Sequence, residues 1–390
     1  MVNIAGGQRQ VQTTQSEVSA DLIDLALGHP SPGLLPLSLI RRAARRLRPE
    51  DRPLLQYGYE QGDLRFRSLL AGFLSGGYGT EVSPEELFVC GGVSQALDLI
   101  CSLFTRPGDR VLVEEPSYFL ALRIFADHGL RVEGLATDRH GLLPEALREA
   151  LGRFRPAMLY TVPTYHNPAG TTLPQDRRER IVELCREHGV LLVADEVYHL
   201  LSFAGAPPSP MAAFAGRGGV LSLGSFSKIL APGLRLGWIQ GSPELLRTLS
   251  TCGFLDSGGG LAPFTSAIVG RLLERGTQEA HLQKLRAVYG ARARALTESL
   301  RERLGVEAAP PAGGFFLWLG LPGVTDTEAL LPAARAAGVT FAPGGRFSVS
   351  GGQRDRLRLS FSYYGQGQLA EGVDRLAEAA RGFRSPGKGS

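Results

Sequence analysis

Between residues 87 and 240, short apolar runs alternate with stretches of helical period. The runs lie at 87–92, 110–115, 131–136, 157–162, 190–197, 220–223 and 236–240. They are too short for helices and rich in Val and Leu, as strands buried on both faces are. Helical stretches fall between them, through Leu97 and Leu103 and at 118–128, 143–154 and 174–188. Strands alternating with amphipathic helices pack as a mostly parallel sheet covered on both faces. The expected fold is therefore α/β, with a seven-stranded sheet sandwiched by helices. Ligands of such sheets bind outside the carboxyl ends of the strands, so the residues following each run are the candidates for chemistry.

The pattern changes after Phe264. Residues 278–304 read as one long helix with Leu282, Leu285, Val288, Leu296, Leu300 and Leu304 on a single stripe. Strand and helix signals then follow in the order of a smaller α+β domain. The expected division is an N-terminal arm with part of the small domain at 1–50, a large ligand-binding domain at 51–275, and an interdomain helix with the C-terminal small domain at 276–390. Residues 1 to about 20 and the final SPGKGS read as a flexible arm and a tail.

Charge and cysteine usage exclude several classes. A net charge of +4 over 390 residues, with dispersed basic residues, is no nucleic-acid footprint. The four cysteines lack CxxC or CxxH spacing, so neither a metal site nor a disulfide framework is expected. Cys101 and Cys185 fall in apolar helical patterns and read as core residues. No apolar run approaches the roughly 20 residues of a membrane span, and the first residues lack a secretory signal. A cytoplasmic location is the default expectation.

The most informative stretch is 225–238, SFSKILAPGLRLGW. Lys228 follows Ser225 and Ser227 at a strand end, and Arg235 comes after a Pro-Gly break. A lysine amine forms Schiff bases with carbonyls. Hydroxyls and a guanidinium fork suit a phosphate monoester. An aldehyde and a phosphate on one ring describe pyridoxal 5′-phosphate. Other strand ends add to this. GGVSQAL at 91–97 turns into a helix N-terminus, which favours anions, and also reads as an ordinary turn. Tyr118 opens a helix, where its ring can lie on a flat ligand or pack in the core. Asn167 in PTYHNPAG sits in a rigid turn suited to an amide that donates to a fixed oxygen. Asp195 closes an apolar strand, where an unpaired carboxylate is costly. A pyridinium N–H would satisfy it and keep the ring an electron sink; capping the next turn is the alternative. Tyr198 is placed to reach the same ligand oxygen as Asn167. Near the C-terminus, Arg358 lies deeper than Arg356 in the apolar run of DRLRLSFSY, as an arginine awaiting a substrate carboxylate or a structural ion pair.

The ordered set GGVSQAL, EEPSY, YHNPAG, ADEVY, SFSK…PGLRLGW, PAGGFFLW, PG and LRLSFS resembles the class I/II aminotransferases, enzymes of fold type I that use pyridoxal 5′-phosphate. The resemblance runs from about residue 23 to 383. Among subgroups it is most similar to the 2-aminoadipate/kynurenine-type aminotransferases. It implies Lys228 as the Schiff-base lysine, Asp195 as partner of the ring nitrogen, Asn167 and Tyr198 as donors to the phenolic oxygen, and Tyr118 as the stacking ring. It implies a phosphate cup of Ser225, Ser227 and Arg235 with backbone at Val93 and Ser94. Tyr57 would reach the phosphate of a second subunit, which implies a homodimer with shared active sites. Gly28 and Arg358 would clamp the substrate carboxylate. Two positions depart mildly from the pattern: Ala169 stands where many members carry Thr, and Val93 where relatives often carry a hydroxyl.

The expected activity is transfer of an α-amino group from an amino acid to a 2-oxo acid. The same residues would serve a β-lyase, decarboxylase or oxidase. The resemblance extends to the aminotransferase-like half of certain bacterial regulators, whose winged helix needs more than the 22 residues that precede Ile23 here. A side-chain pocket built from 28–35 and the 57–59 loop offers His29, Leu34 and Leu35, with Gln56 and Gln61 nearby. Its arginines, Arg65 and Arg67, fall on the next helix. That pocket predicts donors with apolar, aromatic or long side chains, no distal cation, and 2-oxoglutarate tolerated as acceptor through a rearranged contact.

Overall fold

The computed structural model describes residues 12–13, 16–17 and 21–383. The arm expected over residues 1 to about 20 lies outside the described residues except for two short strands, Gln12–Thr13 (β1) and Ser16–Glu17 (β2), which pair antiparallel. The expected SPGKGS tail lies outside them as well.

The large sheet is built from Leu87–Cys90 (β4), Arg110–Glu115 (β5), Arg131–Asp138 (β6), Gly141–Leu142 (β7), Met158–Thr161 (β8), Leu191–Asp195 (β9), Val220–Ser225 (β10) and Gly237–Gly241 (β11); Ile23–Asp24 (β3) belongs elsewhere. Its order is β4-β11-β10-β9-β8-β5-β6-β7. The seven expected strands are all present, and the eighth is a two-residue ribbon on β6. Strand β11 runs antiparallel to both its neighbours, while β10, β9, β8, β5 and β6 run parallel.

Alternation along β5 shows how the sheet is buried twice. Val111 and Val113 face a core shared with Phe125, Tyr160 and Ile239. Leu112, between them, faces Leu159, Leu192 and Ile181 on the other side. All three side chains of β5 are fully buried, as a period of two sandwiched by helices requires. Strand β9 stops at Asp195, two residues before the expected end. Glu196 leaves the ladder to accept from the Met211 and Ala212 N–H groups and the Ser222 hydroxyl, beside Arg178 at 3.7 Å.

The smaller sheet has the order β12-β15-β14, from Phe316–Gly320 (β12), Ala342–Pro343 (β14) and Arg356–Ser360 (β15). Val339–Thr340 (β13) pairs parallel with β3, so the first strand of the body closes against nearly the last. The long helix Thr277–Leu304 packs on Gln366–Gly382, burying Leu282, Leu285, Leu296 and Leu300 as the stripe predicts. Cys101 and Cys185 are both buried, at 1% and 2% exposure.

Candidate active site

A cavity of about 640 Å³ opens at the carboxyl ends of β9 and β10. Its charged walls are Lys228, Arg235, Arg346 and Arg358 against Asp24 and Asp195.

Lys228 sits three residues past the end of β10, and its Nζ donates to the Gly28 carbonyl at 2.9 Å. Burial is the main cause that pulls its amine down to about 8, with Arg358 and Arg235 adding to the effect and Asp195 opposing it. Asp195 is 4% exposed. Tyr160 on the neighbouring strand donates to its Oδ2 at 2.9 Å. Burial nevertheless pushes its carboxyl up to about 6, against the Tyr160 and Val197 donors and the Lys228 charge. A carboxylate held this way gains from a cationic N–H donor, which is what a protonated pyridine ring offers.

The anion end is built from the backbone. The helix Val93–Phe104 begins after Gly92, whose φ of 97° suits only glycine, and no side chain caps it. The first N–H groups of an uncapped helix are free donors. A Cβ on Gly92 would lie 3.2 Å from Arg235 Nη2, in the space before the guanidinium. Arg235 itself holds a left-handed backbone, φ 48°. Ser225 and Ser227 face each other, Oγ to Oγ at 2.9 Å, and both line the cavity with Val93 and Ser94. The donors match a phosphate, and the buried lysine and aspartate match an aldehyde-bearing pyridine ring, so the residues fit pyridoxal 5′-phosphate.

At the other end, Arg358 is 5% exposed and stacked 4.0 Å from the Phe316 ring centroid. Its Nη1 donates to Asn167 Oδ1 at 2.7 Å and its Nη2 to the Ala26 carbonyl at 2.8 Å. Asn167 is itself held by a turn resting on His166, whose Nε2 lies 3.1 Å from the buried Glu114 carboxylate. Tyr118, Tyr198 and Gly28 complete the wall. A Cβ on Gly28 would come within 2.8 Å of Phe316.

Twelve of the thirteen expected site residues thus share one cavity. Tyr57 does not: it is 81% exposed on the outer surface. The expected side-chain pocket is also redrawn. Of 28–35 only Gly28 and His29 line the cavity. Leu34 is buried in the core, and Leu35, Tyr57 and Tyr59 face outward. The expectation of no distal cation is drawn from 28–35 and the 57–59 loop; Arg346 of the PGGRF segment, outside both, lines the cavity beside Phe119. Sequence reasoning also missed Tyr160 and Phe316. The FF pair of PAGGFFLW marked Phe316; nothing local marked Tyr160.

A family model described as Aminotransferase class I and II matches residues 20–376. Among curated relatives, an aromatic-amino-acid aminotransferase of Thermococcus litoralis is 34% identical, covering 93% of this chain and 89% of its own. A 2-aminoadipate transaminase of Thermus thermophilus is 36% identical, covering 93% and 91%. Among solved structures, an α-aminoadipate aminotransferase of Thermus thermophilus, complexed with N-(5′-phosphopyridoxyl)-L-leucine, superposes with a TM-score of 0.83 at 34% identity, covering 93% of each chain.

Proposed function

We propose residue roles and a substrate range for this chain, which belongs to the class I and II aminotransferases. It is a pyridoxal 5′-phosphate-dependent transaminase of fold type I, acting on amino acids and 2-oxo acids. The cofactor, when bound, supplies an aldehyde that takes up amino groups and a ring that accepts electrons from the substrate's Cα. The observation that carries the role assignment is the convergence of Lys228, Asp195 and Arg358 on one cavity.

Lys228 holds the cofactor. When not engaged with the cofactor, its Nζ would take up and hold the proton of the substrate Cα. A lysine pulled down to about 8 by burial is neutral often enough near neutral pH to act as that base. Asp195 would hold the ring nitrogen in its protonated form, Asn167 and Tyr198 would donate to the phenolic oxygen, and Tyr118 would cover the ring face. Ser225, Ser227, Arg235 and the amides at Val93 and Ser94 hold the phosphate. Arg358, with Gly28 beside it, receives the α-carboxylate and so orients the Cα–H bond, which is catalysis by positioning.

The reading extends to a cytosolic homodimer in which Tyr57 serves the neighbouring subunit's phosphate. Two features support the dimer. The exposed large hydrophobic residues are Leu35, Leu37, Leu55, Tyr57, Tyr59, Leu64, Phe254 and Phe264. Bridges from Gly58 to Gly259 and Gly260 bring the last two of these stretches together, and an apolar patch of this kind marks an interaction surface. No helix among the described residues is long and apolar enough to cross a membrane.

The donor range favours apolar, aromatic or long side chains, supported by Phe119, Leu120 and Leu97 in the lining. A panel of amino donors, run with and without a 2-oxo acid acceptor, tests activity and range together. Keto-acid product that forms only with the acceptor supports the reading. Ammonia or carbon dioxide released without acceptor would instead make it a lyase or decarboxylase.

A further inference from the structure

Four cations and two carboxylates line the cavity, and the roles proposed above use Lys228, Arg235, Arg358 and Asp195. Arg346 and Asp24 are left over. Asp24 accepts from the Ala26 N–H at 2.8 Å within its own turn. Arg346 joins no ion pair among the described residues; its guanidinium lies 5.7 Å from the Phe119 ring centroid.

Its position relative to Arg358 is fixed by the small sheet. Ala342 of β14 stands opposite Arg358 of β15, and the chain then turns through Gly344–Phe347. Phe347 stacks on Arg358 at 4.9 Å and meets Phe119 edge-on at 5.4 Å. The series is arginine, ring, ring, arginine: Arg358, Phe347, Phe119, Arg346. The Arg346 charge acts on Arg358 across it. Two guanidinia separated by an apolar wall match a molecule with two carboxylates separated by methylenes. The wall by itself matches a leucine-like or aromatic side chain.

We propose that Arg346 receives the distal carboxylate of dicarboxylic substrates whose α-carboxylate is held by Arg358, with Phe119 in the cavity wall contacting the chain between and Phe347 packed behind it. This rests on the transaminase site proposed above. It lets one pocket accept both apolar donors and a dicarboxylic acceptor without a separate site. Because Arg346 is exposed at the mouth, its charge stays hydrated until a substrate arrives, and it is free to turn away when the side chain is apolar. Asp24 shares that end of the cavity and opposes the distal carboxylate. The charges of Arg358, Arg335 and Arg346 itself all act on Asp24 and offset part of its field.

The test compares wild type, Arg346→Gln and Arg346→Lys as holoenzymes. The first readout is the ratio of kcat/KM for 2-oxoglutarate to that for 4-methyl-2-oxopentanoate, with one common donor. The second is calorimetric binding of glutarate against 4-methylpentanoate. Arg346→Gln is expected to lower the kinetic ratio and the relative glutarate affinity by about tenfold, equivalent to about 1.4 kcal/mol, with Arg346→Lys in between. A fall of less than fivefold in both, or a wild type that discriminates against 2-oxoglutarate and glutarate from the outset, overturns the proposal. A wild type that transaminates nothing defeats the reading of the site instead, and the calorimetric ratio then still decides whether Arg346 selects the second carboxylate.

Discussion

Arg358 Nη1 donates to Asn167 Oδ1 at 2.7 Å, joining the small sheet to the turn after β8. With its oxygen engaged, the Asn167 amide presents its NH₂ group as the donor to the cavity. In the proposed assignment one arginine both receives the anion and sets the orientation of a neighbouring donor. Arg358→Ala is expected to raise KM for amino and oxo acids by thirtyfold or more, from the loss of about 2–5 kcal/mol at a buried charged contact. Asn167→Ala removes the donor without adding a charge beside Arg358, so it should largely spare KM and lower kcat. Steady-state kinetics that show the two variants failing in the same parameter would separate Asn167 from this role.

The lysine assignment is open to direct chemical proof. Holoenzyme should be yellow, and borohydride should fix the cofactor at Lys228, as read by peptide mass spectrometry. Lys228→Ala should lose turnover by several orders of magnitude. A labelled peptide from another lysine would sink the assignment.

The pH behaviour of that lysine follows from its surroundings. Burial lowers its amine to about 8, and only the neutral amine attacks a carbonyl. Capture of an aldehyde by the apoprotein at Lys228 should therefore speed up as pH rises and level off above about 8. An ordinary exposed lysine keeps gaining reactivity to beyond pH 10. A capture rate still climbing at pH 10 would contradict the buried setting.

Asp195 depends on Tyr160. The Tyr160 hydrogen bond lowers a carboxyl that burial raises to about 6. Tyr160→Phe should move the apoprotein's Asp195 further up, visible in its carboxyl infrared band. Asp195→Asn should cost about 10²–10³ in kcat, the scale of a lost preorganised electrostatic contact, with cofactor still bound. Unchanged titration in Tyr160→Phe would show that the contact is only packing.

For the assembly, Phe254→Asp places a charge in the exposed apolar patch and should shift sedimentation from dimer to monomer. Tyr57→Phe should leave the dimer intact and weaken cofactor retention. A fully active monomer would refute the shared site.

How much of this can be read from the chain depends on how local each signal is. Strands β5, β8 and β10 announce themselves because a doubly buried strand carries an unbroken or nearly unbroken apolar run. Arg358 stands out for the same reason, as a charge inside such a run. Tyr160 does not, since MLYT reads as any buried strand. Its value lies in register: Tyr160 pairs with Val193, which places Asp195 two residues along on the same face. Arg346 is hidden for a different reason. Its place is set by how a turn after β14 leans on the helix Phe119–Asp127, a tertiary fact with no periodicity behind it. The pocket expected from 28–35 fails at Leu34 because an apolar residue beside a site can just as well face the core.

The pairing of β3 with β13 carries a consequence for how the protein is made. Asp24 donates its N–H to the Tyr364 hydroxyl, 340 positions away, and the Ala26 carbonyl accepts from Arg358, 332 positions away. On a ribosome adding about 5–20 residues per second, the segment bearing Gly28 and His29 waits on the order of 15–70 s for the strands it rests on. The large sheet is complete by Gly241, so its longest wait, that of β4 for β11, is less than half as long. The stretch of cavity wall at Gly28 and His29 is thus among the last parts of the chain to be fixed. Nascent chains stalled before residue 339 should be cut by protease within 21–36 while the body from 87 to 241 resists.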